Sequence, residues 1–216
     1  MLNETQITLP SALNVSNPGR RILQFCENEY AYYDGIPSGD PNKVEPLDVL
    51  VTVSMNSFIN TATLVHNIHR GLAEQCNQIL GDIPEDADLL SPVPPLEIVH
   101  RLLHAAVQVP DVLIARATKV LHRKRRSLIP MLDSVLLSHY LKLLQRKDET
   151  QEKSKAADAA MDVLWAFRND LMDARPQLEA LSQSLRPKFT MTPLRILEVL
   201  VWTEKEGSQP GYYRNV

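Results

Sequence analysis

The sequence predicts an all-α fold, a single compact helical domain, on three observations. From Thr61 to Ile83 the apolar residues Leu64, Ile68, Leu72, Cys76 and Leu80 recur every four positions, which is one face of a helix. Helical apolar spacing returns in several later segments, with turn signals between them. Nowhere do strand-like and helix-like segments alternate as a parallel sheet requires. A chain of 216 residues, 44% of them hydrophobic, is long and apolar enough to bury one good core.

The elements follow in order. Residues 1–18 are polar and unperiodic and read as an irregular N-terminal arm. Arg20–Tyr33 alternates enough to admit one short N-terminal strand, and Asp34-Gly35-Ile36-Pro37-Ser38-Gly39-Asp40-Pro41 is a strong loop signal. Pro46 suits a first helical turn and opens an apolar segment to Met55. After the 61–83 helix, the acidic, proline-rich residues 84–95 connect to a helix over Leu96–Val107 that buries Ile98, Leu102, Leu103 and Ala106. Asp111 is placed to cap a helix over 112–125, and Pro130 to start one over 131–147. The charged residues 148–156 link or begin a long helix to about Ala174, and a last helix opens near Thr192-Pro193 with Leu194, Leu197, Leu200 and Val201. The plan is an arm (1–18), a helical domain (19–206) and a flexible tail (207–216).

Charge is the least uniform property of the chain. The whole carries −3, yet residues 111–147 hold nine Lys/Arg against two Asp/Glu. Arg116, Lys119, Arg123 and Arg126 fall at steps of three and four, so a helix through them has a cationic stripe, while Leu113, Ala117, Val120 and Leu121 line an apolar one. With Lys124, Arg125 and Lys142, these are the expected nucleic-acid-binding residues, because phosphate neutralisation supplies most non-specific affinity. The alternative is a solvated face, paired with acidic residues elsewhere or docked on an acidic protein partner.

Other features narrow the classes. No apolar run approaches the ~20 residues of a membrane span, and MLNETQITLP lacks the basic start and apolar stretch of a signal peptide, so a cytoplasmic protein is expected. Cys26 and Cys76 are too few for a disulfide framework and read as buried, reduced thiols. No Gly-rich phosphate loop, nucleotide fingerprint or Ser-His-Asp signature is visible, and no cofactor is expected. Glu97, His100 and His104 share a helical face, and His66 and His69 form a second pair, but no Cys or Asp spacing completes a recognised site and no metal is assigned. Tyr30, Tyr32 and Tyr33 suit the core or stacking on a base, and Trp165 and Phe167 a core or interface.

Residues 108–121, Gln-Val-Pro-Asp-Val-Leu-Ile-Ala-Arg-Ala-Thr-Lys-Val-Leu, resemble the hairpin of the helix-hairpin-helix DNA glycosylase superfamily, endonuclease III type. That pattern reads Leu-Pro-Gly-Val-Gly, two residues, Thr-Ala and an apolar helix, with the catalytic aspartate opening the next helix. Val109, Pro110, Val112, Ala117, Val120 and Leu121 match, and Asp133 falls where the aspartate stands. Asp111 and Leu113 replace the two glycines, and Ala115 occupies the place of the lysine nucleophile of the bifunctional enzymes. The resemblance therefore implies a DNA-binding protein of glycosylase-like architecture, with a helix-hairpin-helix element over about 96–147. In its enzymatic version it is a monofunctional base-excision glycosylase, with Asp133 as its one carboxylate and no lyase step. The non-enzymatic version is a helical protein–protein module. Asp133 has a structural reading as well, as a residue complementing a helix N-terminus.

A second resemblance spans more of the chain. Ala117–Arg125, then Leu128-Ile129-Pro130 and Asp133, is similar to an uncharacterised bacterial family in which a basic Ser-Lys-Leu-Leu-x-x-Lys-Arg-Pro element precedes Ile-Pro-Val-x-Asp. Tyr33-Asp34 upstream, and Leu194-Arg195-Ile196-Leu197-Glu198 with Trp202 near the end, fit the same family.

Overall fold

The computed structural model describes residues 6–55, 57, 59, 61–147, 152–186 and 188–206; the expected tail at 207–216 lies outside them. Nine α-helices account for most of the described residues, with one two-stranded antiparallel sheet at the N-terminal side. They are α1 (Pro18–Asn28), α2 (Pro46–Val51), α3 (Ala62–Gly81), α4 (Leu96–Gln108), α5 (Ile114–His122), α6 (Ser134–Leu143), α7 (Lys153–Asp173), α8 (Arg175–Leu185) and α9 (Pro193–Glu206). The strands are β1 (Gln6–Thr8) and β2 (Asn14–Ser16).

The arm is the first correction. From Gln6 onward it is a hairpin in which Ile7 pairs with Val15, and Ile7, Leu9, Leu13 and Val15 are all buried. Those four residues alternate with polar ones at the two-residue period of a strand, over a stretch too short to register as periodic. Ala12 turns the corner with φ 58°, and the Ser11 N–H donates to buried Asp170 Oδ1 at 2.8 Å. Tyr140 Oη donates to the other oxygen of Asp170 at 2.8 Å, so one carboxylate ties the hairpin to α6 and α7. The strand admitted over Arg20–Tyr33 is instead α1 and a 3-10 turn (Tyr30–Tyr32). Pro18 presets its first turn.

Among the helices, α3 buries Ile68, Leu72, Cys76 and Leu80, the stripe read from the four-residue spacing, and the Thr61 hydroxyl caps it by accepting from Leu64 N–H at 3.1 Å. Helix α4 lies centrally, against α3, α5 and α7. It buries Val99 where Ile98 was expected; Ile98 is half-buried. Helix α9, flanked by α1, α6 and α8, is apolar almost all round, as a helix inside a bundle is. Two boundaries differ from expectation. Helix α5 begins at Ile114 without a side-chain cap, and α6 begins only at Ser134, capped by Asp133 rather than started by Pro130. Among the described residues, no helix is long and apolar enough to cross a membrane.

Candidate functional site

The cationic run decides where the site is not. A stripe through Arg116, Lys119, Arg123 and Arg126 requires helix through residue 126, but α5 ends at His122 and the next four residues turn away from its axis. Arg123, Lys124 and Arg125 are consequently 2%, 4% and 0% exposed, which corrects the expected outward cationic face. Asp48 receives Arg123 Nε at 2.8 Å and Lys124 Nζ at 2.6 Å. Their remaining donors go to the loop after the 3-10 turn: Arg123 to Pro37 O (2.8 Å), and Lys124 to Asp40 O (3.1 Å). Arg125 reaches Pro41 O at 2.7 Å and, with Nη2, both Leu80 O and Ile83 O at 2.6 Å at the end of α3. Half-buried Arg126 reaches Asp34 O at 3.1 Å. The Gly/Pro-rich loop of residues 34–45 has no helix or strand to satisfy its carbonyls, and these four cations supply the donors. Of the remaining expected cations, Lys142 is exposed in the last turn of α6, and Arg116 and Lys119 line a cavity.

That cavity holds about 680 Å³, between the α4–α5 turn, the N-terminus of α6, the 3-10 turn Thr52–Met55 and α9. Phe25, Met55, Leu113, Ala115, Met131, Val135, Leu136, Val199 and Trp202 give it apolar walls. Glu29, Asp111, Arg116, Lys119, Asp133, Arg195 and Glu198 bring charge to it. Asp133 Oδ1 accepts from Val135 N–H at 3.0 Å and Leu136 N–H at 2.9 Å, the geometry of an N-cap. Oδ2 has no hydrogen-bond partner among the described residues. Burial pushes the Asp133 carboxyl above the usual range, while the two N–H groups and Lys119 hold it back. Lys119 moves the opposite way: burial lowers its pKa, Asp133 opposes that, and the ammonium donates to Met55 O.

The segment that delivers Asp133 is irregular and is held at three successive points. His122 Nδ1–H donates to Ile129 O at 2.8 Å, Met131 N–H donates to Glu198 Oε1, and Leu132 N–H donates to Thr118 Oγ1 at 3.0 Å. Burial depresses His122 to about 3, so the imidazole is neutral and its 3.8 Å approach to Glu198 is not an ion pair. Glu198 Oε2 accepts from Arg195 Nη1 at 3.0 Å, and Arg195 makes a bidentate pair with Asp34 at 2.9 and 3.0 Å. The Arg195 guanidinium sits 5.2 Å from the Phe25 ring centroid and 5.7 Å from that of Tyr33. Burial raises the Glu198 carboxyl, with Arg195 opposing. A chain of four buried groups thus runs from Asp34 to the backbone two residues before Asp133.

The hairpin keeps its turn without its glycines. Asp111 takes φ 61°, a left-handed value that aspartate tolerates better than most residues, whereas Leu113 is extended at φ −104°, ψ 170°. Only one of the two replaced glycines therefore stands where a positive φ is needed. Val112 N–H closes the turn on Val109 O at 3.2 Å, and Arg116 Nη1 donates to Asp111 O. Ala115 and Lys119, one helical turn apart on α5, line the same cavity as Asp133.

A family model described as a family of unknown function (DUF6308) matches residues 23–205. The chain belongs to this family. No curated protein and no solved structure matches it. In this family member the matched span contains Tyr33-Asp34, the Asp133 segment, Arg195, Glu198 and Trp202, and the fold brings all of them to one place. Arg195, Glu198, Thr118 and Asp34 have no role assigned from the sequence. The available signal was Arg195 and Glu198, a charged i, i+3 pair set within the otherwise apolar first ten residues of α9, Pro193 to Trp202.

The remaining candidates stand apart. His100 Nε2 meets Asp158 Oδ1 at 2.7 Å, and among the described residues no three His, Cys, Asp or Glu converge as a metal site. Cys26 and Cys76 are buried free thiols, both pushed up to about 12 by burial. Buried Tyr33 donates to Lys119 O, Tyr30 packs edge-on against Phe189, and Tyr32 is exposed. Phe167 is in the core, and half-exposed Trp165 lies under Arg168.

Proposed function

We propose that this protein binds DNA and hydrolyses the N-glycosidic bond of a nucleotide whose base is extruded into the cavity, with Asp133 as the essential carboxylate. The observation that carries this reading is the division of labour within Asp133. One oxygen is fixed by the first turn of α6, and the other has no hydrogen-bond partner among the described residues, in a cavity shared with Lys119. Cleavage of an N-glycoside develops positive charge on the sugar, and a fixed carboxylate stabilises that charge and positions the attacking water. A volume of about 680 Å³ accommodates a base and its sugar and falls within the ~300–1,000 Å³ of small-ligand sites. Phe25 and Trp202 add aromatic surface for a heteroaromatic ring.

The α4–turn–α5 unit supports DNA as the partner, since the turn preserves at Asp111 the backbone conformation that glycine supplies in the hairpins it resembles. With Arg123, Lys124 and Arg125 committed inside, phosphate contact falls to few cations, Arg116 and Lys142 first. Excision is tested in single turnover on duplexes carrying deaminated, oxidised or alkylated bases, with alkali revealing abasic sites. Wild type should excise at least one base class, and Asp133→Asn should bind the same duplex without cutting the glycosidic bond. Absence of both affinity and excision, with an acidic protein co-eluting after nuclease treatment, would refute the reading in favour of a protein partner.

A further inference from the structure

We propose that the preferred partner of the cavity is single-stranded DNA, held by a base stacked on Tyr32 at the cavity mouth, with duplex DNA the weaker ligand. The inference deepens the DNA-binding reading and rests on it for the chemistry of the partner.

Tyr32 is the tyrosine of its cluster that packing leaves out. Tyr30 lies against Phe189 and Tyr33 is buried on the Lys119 carbonyl, whereas Tyr32 is 61% exposed. Elements that wall the cavity hold it in place. The 3-10 turn Tyr30–Tyr32 directly follows Phe25 of α1 and Glu29, both of which line the cavity. The Tyr32 carbonyl accepts from Ser54 Oγ at 3.1 Å, and Ser54 is itself a lining residue. An apolar surface continues from there. Leu47, Leu50 and Val53 recur at steps of three along α2 and the 3-10 turn after it, all exposed, and exposed Leu113 lines the cavity. With Tyr32 these make five of the ten exposed large hydrophobic side chains among the described residues, a concentration on the elements around one cavity that marks an interaction surface rather than scatter.

Charge decides between one strand and two. Three Lys/Arg against four Asp/Glu line the cavity, and one of the three, Arg195, is committed to Asp34 and Glu198. A duplex presents a phosphate every ~1.7 Å of its axis, twice the density of either strand alone. A mouth with more carboxylates than cations meets the lower density at less cost. The bases of a duplex are also paired and stacked, so bringing one to the cavity carries the cost of opening a pair. In a single strand each base offers a free π-face, which an aromatic side chain accepts whatever the sequence. Tyr32 then holds the base next to the one that enters the cavity, and the apolar surface beside it covers unstacked bases rather than phosphates.

The test is fluorescence anisotropy of the full chain with an undamaged, mixed-sequence DNA oligonucleotide of about 15 nucleotides, single-stranded or annealed to its complement, at one salt concentration. The single strand should bind roughly tenfold tighter or more, the duplex bearing the cost of opening. Tyr32→Ala should weaken single-strand binding roughly 5- to 150-fold, the equivalent of the ~1–3 kcal/mol that one stacked base supplies. Duplex binding should not respond to that substitution, and Tyr32→Trp should retain single-strand binding. Equal or tighter binding of the duplex, or single-strand binding indifferent to Tyr32→Ala, overturns the inference. Binding to neither form removes the DNA-binding reading and this inference with it. Because the oligonucleotide is undamaged, excision is read separately. Single-strand preference without excision of any base class sinks the base-excision reading alone, and excision by a protein that prefers the duplex sinks the single-strand inference alone.

Discussion

Replacing Asp48 with asparagine tests whether the cationic run is structural. Asp48 is 1% exposed and accepts from Arg123 Nε at 2.8 Å, Lys124 Nζ at 2.6 Å and Glu45 N–H at 2.8 Å. Asparagine preserves the shape and one acceptor, so the first turn of α2 keeps its hydrogen bond. It removes the only carboxylate paired with these two buried cations among the described residues. At an effective dielectric of 20, each close pair is worth roughly 4 kcal/mol of attraction, offset by the desolvation of the charges. The net cost of stranding buried partners is about 3–5 kcal/mol. In a chain of 216 residues that lowers Tm by about 6–20 °C, using ~2–4 °C per kcal/mol. Urea titration followed by circular dichroism gives the free energy directly. Adding Lys124→Met to Asp48→Asn should recover part of the loss, because it removes one stranded charge. A loss below ~1 kcal/mol, the size expected of an exposed pair, would refute the burial argument and restore an outward cationic face.

Further outcomes follow from the same geometry. The salt dependence of DNA affinity should have a log–log slope of about −2, consistent with roughly two phosphate contacts, and Arg125→Gln should lower stability without changing that slope. Asp133→Asn should leave stability within ~1 kcal/mol, since asparagine caps as well as aspartate, while abolishing excision. Thr118→Val removes the acceptor for Leu132 N–H and should cost about 1–3 kcal/mol, with a fall in excision rate larger than the fall in DNA affinity. His122 is depressed from 6.5 to about 3 by burial, so its unfolded form alone takes a proton between those values. Its contribution is therefore present above about pH 6.5 and lost as pH falls toward 3. Stability should decline by up to ~1.4 kcal/mol per pH unit from this one group, and His122→Gln should flatten the urea midpoint profile across that window.

What was readable from sequence was what local spacing controls. The buried stripe of α3, the long α7 and the start of α9 follow from apolar residues meeting their own helix neighbours. Asp133 was readable as a helix-opening carboxylate because its cap bonds reach only two and three residues ahead. The cations were misplaced because the turn after His122, and the carbonyls that claim Arg123–Arg126, lie outside any local pattern. Asp40 and Pro41, whose carbonyls take Lys124 and Arg125, stand 84 residues away, in a loop whose need for donors shows only when it is folded. Arg195 and Glu198 take their role only where the fold brings α9 to the backbone before Asp133, Glu198 bonding Met131 N–H and Arg195 holding Glu198. The N-terminal hairpin is not legible in the sequence because three-residue strands carry too few repeats to reveal their period.

The pairing of Asp34 with Arg195 spans 161 residues, and it has a consequence for the order of events during synthesis. A ribosome delivers Asp34 early, and the chain must then wait for the first turn of α9 before that carboxylate meets its guanidinium. Ser11 waits similarly for Asp170, 159 residues on. Contacts this distant in sequence close late, because their loop entropy is met only after local helices exist. The helices α3 to α7 have local partners and can form on the emerging chain. The backbone before Asp133 acquires its Glu198 anchor only when α9 docks, so the cavity is not complete until α9 is in place.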